Sequence, residues 1–343
     1  MDRPHRSWDP ATDDDEFVCR AVRSITPEIK TVVLAPRQPS MVRFEAGQYV
    51  TIEFDIDGRA VHRCYTIASP PTRPERIAIT VKRAEGGAVS RWLHDGGIAP
   101  GTVVRIGPPQ GEFILAAHPA PAYLLLTAGS GITPALSMLR MMYDLGDARD
   151  VVLVHSQRHA AEIPYREELD HMAGHVPGLR VHYLCSDESA RLDARTLATL
   201  APDAASREVL ACGPTSYREA ARKASSELGC AAGRFHEESF SFSAPRSAEA
   251  AADISNGGFR VEFRDHGVTV DCPPETTLLD AAAAAGLALP SSCAQGLCGT
   301  CKSTLISGDV DMRHNGGIRP REIAAGRILL CCSRPTSDLV VAA

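Results

Sequence analysis

Five cysteines crowd the C-terminal part of this chain. Cys293, Cys298 and Cys301 fall in the stretch SSCAQGLCGTCKSTL, and Cys331 and Cys332 follow as a pair. Three thiolates in one loop accumulate negative charge that a bound cation must neutralise. A structural zinc ion favours two C-x2-C knuckles or a mixture of cysteine and histidine. Here the spacing is C-x4-C-x2-C, and no second knuckle follows. That spacing, with one distant cysteine, suits a [2Fe–2S] cluster, and the fourth ligand is Cys331 or Cys332. Gly296 and Gly299 sit among the sulfurs, where backbone N–H groups must turn toward a negatively charged cluster at close range. The competing reading is a zinc site or unconnected thiols.

A second set of residues could handle phosphate and a nucleotide. TAGSGITPALSML places glycines between an apolar strand and a helix, and such a turn presents N–H groups to an anion. LACGP ends a later strand with another glycine turn, at the sheet edge where open α/β sheets bind ligands. Alone, either turn reads equally well as a tight connection. Cys212 reads equally well as a buried thiol at a strand end.

These loops need scaffolds, and the chain offers three. Residues 17–118 carry short β-rich runs (KTVVLAP, GQYVTIEFDI, RCYTIAS, RIAITVKRA, TVVRIGPPQGEF) separated by Gly, Pro and Asp, which predicts an antiparallel barrel. AVSRWLHDGG is its one helix, with Ser90 as N-cap and Gly96 as stop. Residues 119–240 alternate apolar strands with helices, the pattern of a parallel sheet covered on both faces. Residues 241–256 are small, polar and proline-broken, as in a linker. From 257 to 343, FRVEFRD and VTVDCPP predict a hairpin around HG, TTLLDAAAAAG a helix, and KSTLISG and ILLCCSRPTSDLVV strands. Residues 1–16 are polar and acidic, and loose order is expected there.

In this order the motifs resemble the ferredoxin–NADP reductase superfamily, and more closely its three-part oxidoreductases: a flavin barrel, an α/β nucleotide domain and a β-grasp, plant-type ferredoxin domain. The resemblance to plant-type ferredoxins selects Cys331 as fourth ligand, since 29 residues separate it from Cys301 and Pro335 lies four on. It further implies FAD, with Arg63 at its phosphate, Tyr65 against the ring and the Thr66 hydroxyl near the redox-active nitrogen. Val81, Lys82 and Arg83 would line the flavin chain, and Gly87, Val89 and Ser90 would hold the pyrophosphate. Gly129, Gly131, Thr133 and Pro134 match the nucleotide loop, and Cys212, Gly213 and Pro214 match the CGP motif beside the nicotinamide. Glu238 and Phe240, in HEESF, would close over the flavin–nicotinamide contact. A flavin must stand between a two-electron donor and a one-electron cluster.

The stretches RCYTIASPPTRPERIAITVKRAEGGAVSRWLHD, HEESF and GGIRPREIAAGRILLCCSRP resemble reductase components of Rieske-type monooxygenases that demethylate glycine betaine and stachydrine. A Rieske-type oxygenase component is therefore the expected partner. The alternatives are a hybrid-cluster protein or a desaturase as acceptor; a self-contained flavohaemoprotein-like enzyme would need a further domain. NADH is the expected donor and NADPH the alternative. Arg158 could meet a 2′-phosphate, but no second basic or hydroxyl pair is evident downstream. Net charge of −6 over 343 residues argues against nucleic-acid binding, and no apolar run approaches a bilayer span. Eleven cysteines, an odd number at irregular spacings, do not look like a secreted disulfide framework and point to a reducing cytoplasm. Residues 257–343 hold nine Asp or Glu against eight Lys or Arg, so a large acidic face does not dominate docking to the partner. A monomer is the expected assembly.

Overall fold

The computed structural model describes residues 8, 15–188, 191–238, 240, 258–287, 289, 296, 299, 301–314, 317–318 and 320–343. The expected linker at 241–256 and the candidate ligands Cys293 and Cys298 lie outside these residues.

The first unit holds β1 (Glu16–Thr26), β2 (Ile29–Pro36), β3 (Tyr49–Ile56), β4 (Arg59–Thr66), β5 (Ile77–Lys82), helix α1 (Ala88–His94) and β6 (Val103–Ile106). The strands pair antiparallel in the order β4-β3-β6-β1-β2-β5, and an Ile67–Ile79 bridge closes the two ends. Alternate residues such as Val50, Ile52 and Phe54 fill the interior. The longest strand, β1, was not foreseen, because a bulge between Cys19 and Ala21 interrupts its alternation. Trp8 is buried against Phe17, ring centroids 5.3 Å apart; residues 1–7 and 9–14 of the segment expected to be loosely ordered lie outside the described residues. The N-cap of α1 is Gly87, not Ser90. The Ser90 hydroxyl instead accepts from Ala84 N–H and donates to the Gly87 carbonyl, tying the preceding turn to the helix.

The second unit runs β7 (Ala122–Ala128), α2 (Ile132–Leu145), β8 (Asp150–Gln157), α3 (Arg166–His175), β9 (Leu179–Cys185), α4 (Ala194–Leu200), β10 (Glu208–Cys212), α5 (Thr215–Glu227) and β11 (Phe235–Glu238). Its sheet is parallel, ordered β11-β10-β7-β8-β9. Tyr123 and Leu125 face one apolar core and Leu124 and Leu126 the other, so β7 is buried on both sides.

The third unit comprises β12 (Phe259–Phe263), β13 (Val268–Cys272), α6 (Leu278–Ala284), β14 (Lys302–Ser307), β15 (Val310–Met312), α7 (Pro320–Ala324), β16 (Arg327–Leu329), β17 (Ser333–Pro335) and β18 (Leu339–Ala342). The mixed sheet β13-β12-β18-β14-β16 joins β12 to β18 in parallel. Thr277 caps α6 through Asp280 N–H, as its sequence predicts. The segment ILLCCSRPTSDLVV is not simply strand. A 3-10 turn at Leu330–Cys332 lies between β16 and β17, and it turns Cys331 toward Cys301.

Candidate active site

A cleft of about 780 Å³ separates the barrel from the parallel-sheet unit. Tyr65 and Thr66 at the end of β4 form one wall, with Val81, Lys82 and Arg83 beside them. Ser130 and Thr133, at the start of α2, come from the second unit, together with Glu238 and Phe240. Burial raises the Tyr65 phenol well above its ordinary value, and Phe54 supports the ring edge-on at 6.2 Å.

Two glycine turns meet at this cleft. A Cβ on Gly131 would fall 2.3 Å from the Cys212 carbonyl oxygen, so only glycine lets the nucleotide loop lie against the end of β10. A Cβ on Gly213 would lie 3.0 Å from Tyr217 Cδ1 and 3.1 Å from Ala128 Cβ, a tight but looser fit. Thr133 donates to the Ser130 carbonyl at 3.1 Å and holds the loop onto α2, whose first turn buries Pro134. Cys212 is fully buried and stands in register with Glu238 on β11. Burial first, then the Glu238 carboxylate, pushes the thiol well up. The Glu238 carboxyl is also buried, and burial pushes its pKa up to about 8.

Two polar atoms of this region are buried without a hydrogen-bond partner: the Thr66 hydroxyl and Glu238 Oε2. Buried polar groups are normally satisfied, so both are positioned for a polar ligand. A flat ring with nitrogen and oxygen edges, stacked on Tyr65, fits, and FAD is such a ligand. Arg63 is not on the cleft wall; its guanidinium donates to the His62 carbonyl at 2.7 Å. Gly87, Val89 and Ser90 also stand off the wall, at the start of α1.

A second cleft of about 940 Å³ opens over the C-terminal edge of the parallel sheet and shares Lys82 and Arg83 with the first. Gly129, Pro214 and Tyr217 line it, as the edge position of the glycine turns predicts. Arg158 is there too, and so are Arg191, Ser186 and Ser216. This second arginine and these hydroxyls were not recognised from sequence, because Arg191 is thirty-three positions beyond Arg158 and belongs to no motif. His118, Glu208 and His236 are a further group without sequence signal. His118 and His236 stack at 3.5 Å on the wall of the first cleft, and His236 Nε2 lies 2.6 Å from Glu208. Burial, then the charge of His236, lowers the His118 pKa.

In the third unit Cys301 and Cys331 are buried together. Gly296 N–H donates to Cys331 Sγ at 3.1 Å, and Cys331 N–H donates to Cys301 Sγ at 3.5 Å. Gly296 and Gly299 adopt φ of 69° and 72°, which turns the loop backbone inward. Amide N–H groups aimed at thiol sulfurs favour the thiolate form that a [2Fe–2S] cluster requires. Cys332 is half-buried and points its thiol to the Leu329 carbonyl, as a packed thiol does.

A barrel with a flavin cleft, a parallel sheet with a nucleotide cleft and a thiolate loop define a flavin- and iron–sulfur-dependent pyridine-nucleotide oxidoreductase. Residues 17–114 match the oxidoreductase FAD-binding domain, 125–223 the oxidoreductase NAD-binding domain and 261–336 the 2Fe-2S iron–sulfur cluster binding domain. The chain is 37% identical over 346 residues to the glycine betaine monooxygenase reductase subunit of Pseudomonas aeruginosa (strain UCBPP-PA14), covering 94% of this chain and 93% of that one. It is 36% identical over 333 residues to the stachydrine N-demethylase reductase subunit of Rhizobium meliloti (strain 1021), covering 93% and 94%. Among solved structures, phthalate dioxygenase reductase superposes with a TM-score of 0.60 at 26% identity, covering 96% of this chain and 97% of that one. An intact type IV self-sufficient cytochrome P450 monooxygenase superposes with a TM-score of 0.64 at 26% identity, and the chain spans only 41% of its length. The chain belongs to the three-domain branch of the ferredoxin–NADP reductase superfamily, the reductase components of oxygenase systems. Its cofactors are FAD, NAD(H) and a [2Fe–2S] cluster.

Proposed function

We propose that this chain is the NAD(P)H-dependent reductase component of a Rieske-type oxygenase system that demethylates a quaternary amine, with Arg158 and Arg191 in the nucleotide cleft keeping a 2′-phosphate within reach. The observation that carries the reading is its likeness, over almost its whole length, to reductase subunits named for two such amines, glycine betaine and stachydrine. It works as a monomer that meets its oxygenase transiently. A reducing cytoplasm suits eleven cysteines at irregular spacings. No helix among the described residues is long and apolar enough to cross a membrane.

Tyr65 and Phe240 cover the flavin ring, and the Thr66 hydroxyl, otherwise unpartnered, meets its polar edge. Gly131 and Gly213 let backbone approach the nicotinamide end of the nucleotide. Arg63 at the flavin's phosphate, and Gly87, Val89 and Ser90 at its pyrophosphate, are assigned by the family likeness, since all four stand off the cleft wall. Glu238, neutral near pH 7, occupies the junction without adding charge and carries a proton at its carboxyl. Cys293, Cys298, Cys301 and Cys331 hold the cluster. When bound, FAD takes an electron pair as hydride and gives electrons up singly, which the cluster accepts.

Reconstitution tests this reading. With NADH and a betaine-class Rieske oxygenase, the chain should support substrate-dependent demethylation. Cys331→Ser should keep hydride uptake, seen as flavin bleaching, and lose at least about 100-fold in delivery to the oxygenase. Undiminished delivery by that variant, or coupling only to oxygenases of another substrate class, would refute the assignment.

A further inference from the structure

Among the described residues, the third unit faces the barrel mainly through charged and polar side chains, and its apolar core is drawn from its own residues. Asp15, Glu53, His62 and Arg105 face it from the barrel. Lys302, Arg321 and Glu322 face back across a gap of about 90 Å³. Arg321 donates to Asp15 at 3.0 Å, linking residues 306 positions apart. His62 Nε2 lies 3.0 Å from the Glu53 carboxylate. The His62 hydrogen bond, with Arg105 and Lys302, holds the Glu53 pKa below the usual carboxylate range, so Glu53 feels a cation of the third unit. Lys302 also pairs with Glu322 at 2.7 Å.

Of the cluster loop, Gly299 lies nearest His62: a Cβ built on Gly299 would fall 3.7 Å from His62 Cδ2, so the space a side chain would take at 299 opens onto the imidazole. His62 belongs to β4, the strand whose Cys64, Tyr65 and Thr66 line the flavin cleft. Two residues of strand, about 7 Å, separate His62 from Cys64. One strand therefore lines the flavin cleft and lies beside Gly299, two positions from Cys301.

We propose that His62 is the post on which the cluster loop seats, and that Asp15 and Glu53, facing Arg321 and Lys302, form an electrostatic latch that docks the third unit for electron transfer from the flavin. The proposal rests on the reductase reading above. His62 is a positioning residue: it sets the separation between cluster loop and β4. Exposed ion pairs are individually weak and screened by salt, whereas a set of complementary charges fixes orientation. A polar junction of this kind opens without unfolding either side. The docked fraction, and with it the rate of flavin-to-cluster transfer, falls as salt rises. Hydride transfer does not, because it occurs at the other junction.

The test uses the full-length holoprotein and stopped-flow absorbance, which separates flavin bleaching by NADH from cluster reduction. In the unaltered protein, raising salt to roughly 0.5 M should slow cluster reduction about three- to tenfold and leave bleaching within about twofold. Arg321→Asp, on an exposed side chain, should reproduce that loss at low salt and enlarge the radius of gyration in solution scattering, while Arg321→Lys should restore both. His62→Ala should slow cluster reduction with flavin bleaching kept. Cluster reduction indifferent to salt, or an Arg321→Asp protein with unchanged dimensions and unchanged transfer, would overturn the latch. Failure of NADH to bleach the flavin, or of the cluster to be reduced at any salt, would instead overturn the reductase reading.

Discussion

At the junction between barrel and parallel sheet, Phe113 and Leu115 pack into one core with Met138 and Leu139 of α2. The Tyr165 hydroxyl bridges Thr31 and Thr80 across it, and Arg140, paired with Glu168, donates to the Ala68 carbonyl at 2.7 Å. At the junction between barrel and third unit no core is shared among the described residues; Asp15 pairs with Arg321, and Gly299 lies beside His62. Two carboxyl groups report the contrast. Burial raises Glu238 at the first junction to about 8, whereas His62 and nearby cations lower Glu53 at the second. The difference follows the chemistry each junction serves. Hydride passes only between groups held in contact, so a rigid shared core suits it. Single electrons tolerate separation, so a polar and reversible contact is enough for the other.

The comparison breaks most sharply at Leu115, which is 6% exposed and belongs to the shared core. Leu115→Ala should cost about 2–5 kcal/mol and release flavin on mild heating, read by thermal unfolding and flavin fluorescence. A loss no larger than that of a surface substitution would mean that the two junctions are alike. Tyr165→Phe should cost less, about 1 kcal/mol, because Thr31 and Thr80 remain hydrogen-bonded to each other at 3.2 Å. Its hydride-transfer rate should fall while the salt response of cluster reduction stays as it was.

A third effect concerns pH. The folded pKa of Glu238, about 8, lies above the unfolded value of 4.5, so its contribution favours the folded state at low pH. Stability should decline as pH rises from about 4.5 and level off above 8. Glu238→Gln, which keeps the neutral shape, should flatten that decline in thermal unfolding measured across the same range. An identical decline in both proteins would remove Glu238 as its source.

Much of this was readable before any coordinates. Apolar strands alternating with helices announced the parallel sheet, because a strand covered on both faces must be apolar on both. The C-x4-C-x2-C spacing announced the cluster, because sulfur ligands in a tight loop admit few alternatives. Where local rules compete, reading was poorer. Ser90 looks like a helix cap but serves the preceding turn, and a bulge hides β1. Arg191, His118 and Glu208 carried no signal at all, since nothing along the chain tells which distant side chains will share a wall.

From the sequence came the three-part order, a property of local periodicity, and the C-x4-C-x2-C spacing of a cluster loop; FAD, the nicotinamide donor and Cys331 as expected fourth ligand came from its resemblance to the reductase family. Tertiary structure alone decided that Thr66 and Glu238 lie buried without partners in one region, that Gly131 touches Cys212, and that Arg321 reaches Asp15. Those relations depend on how separately folded surfaces meet, and side-chain chemistry at a junction is set by packing across it rather than by neighbours along the chain.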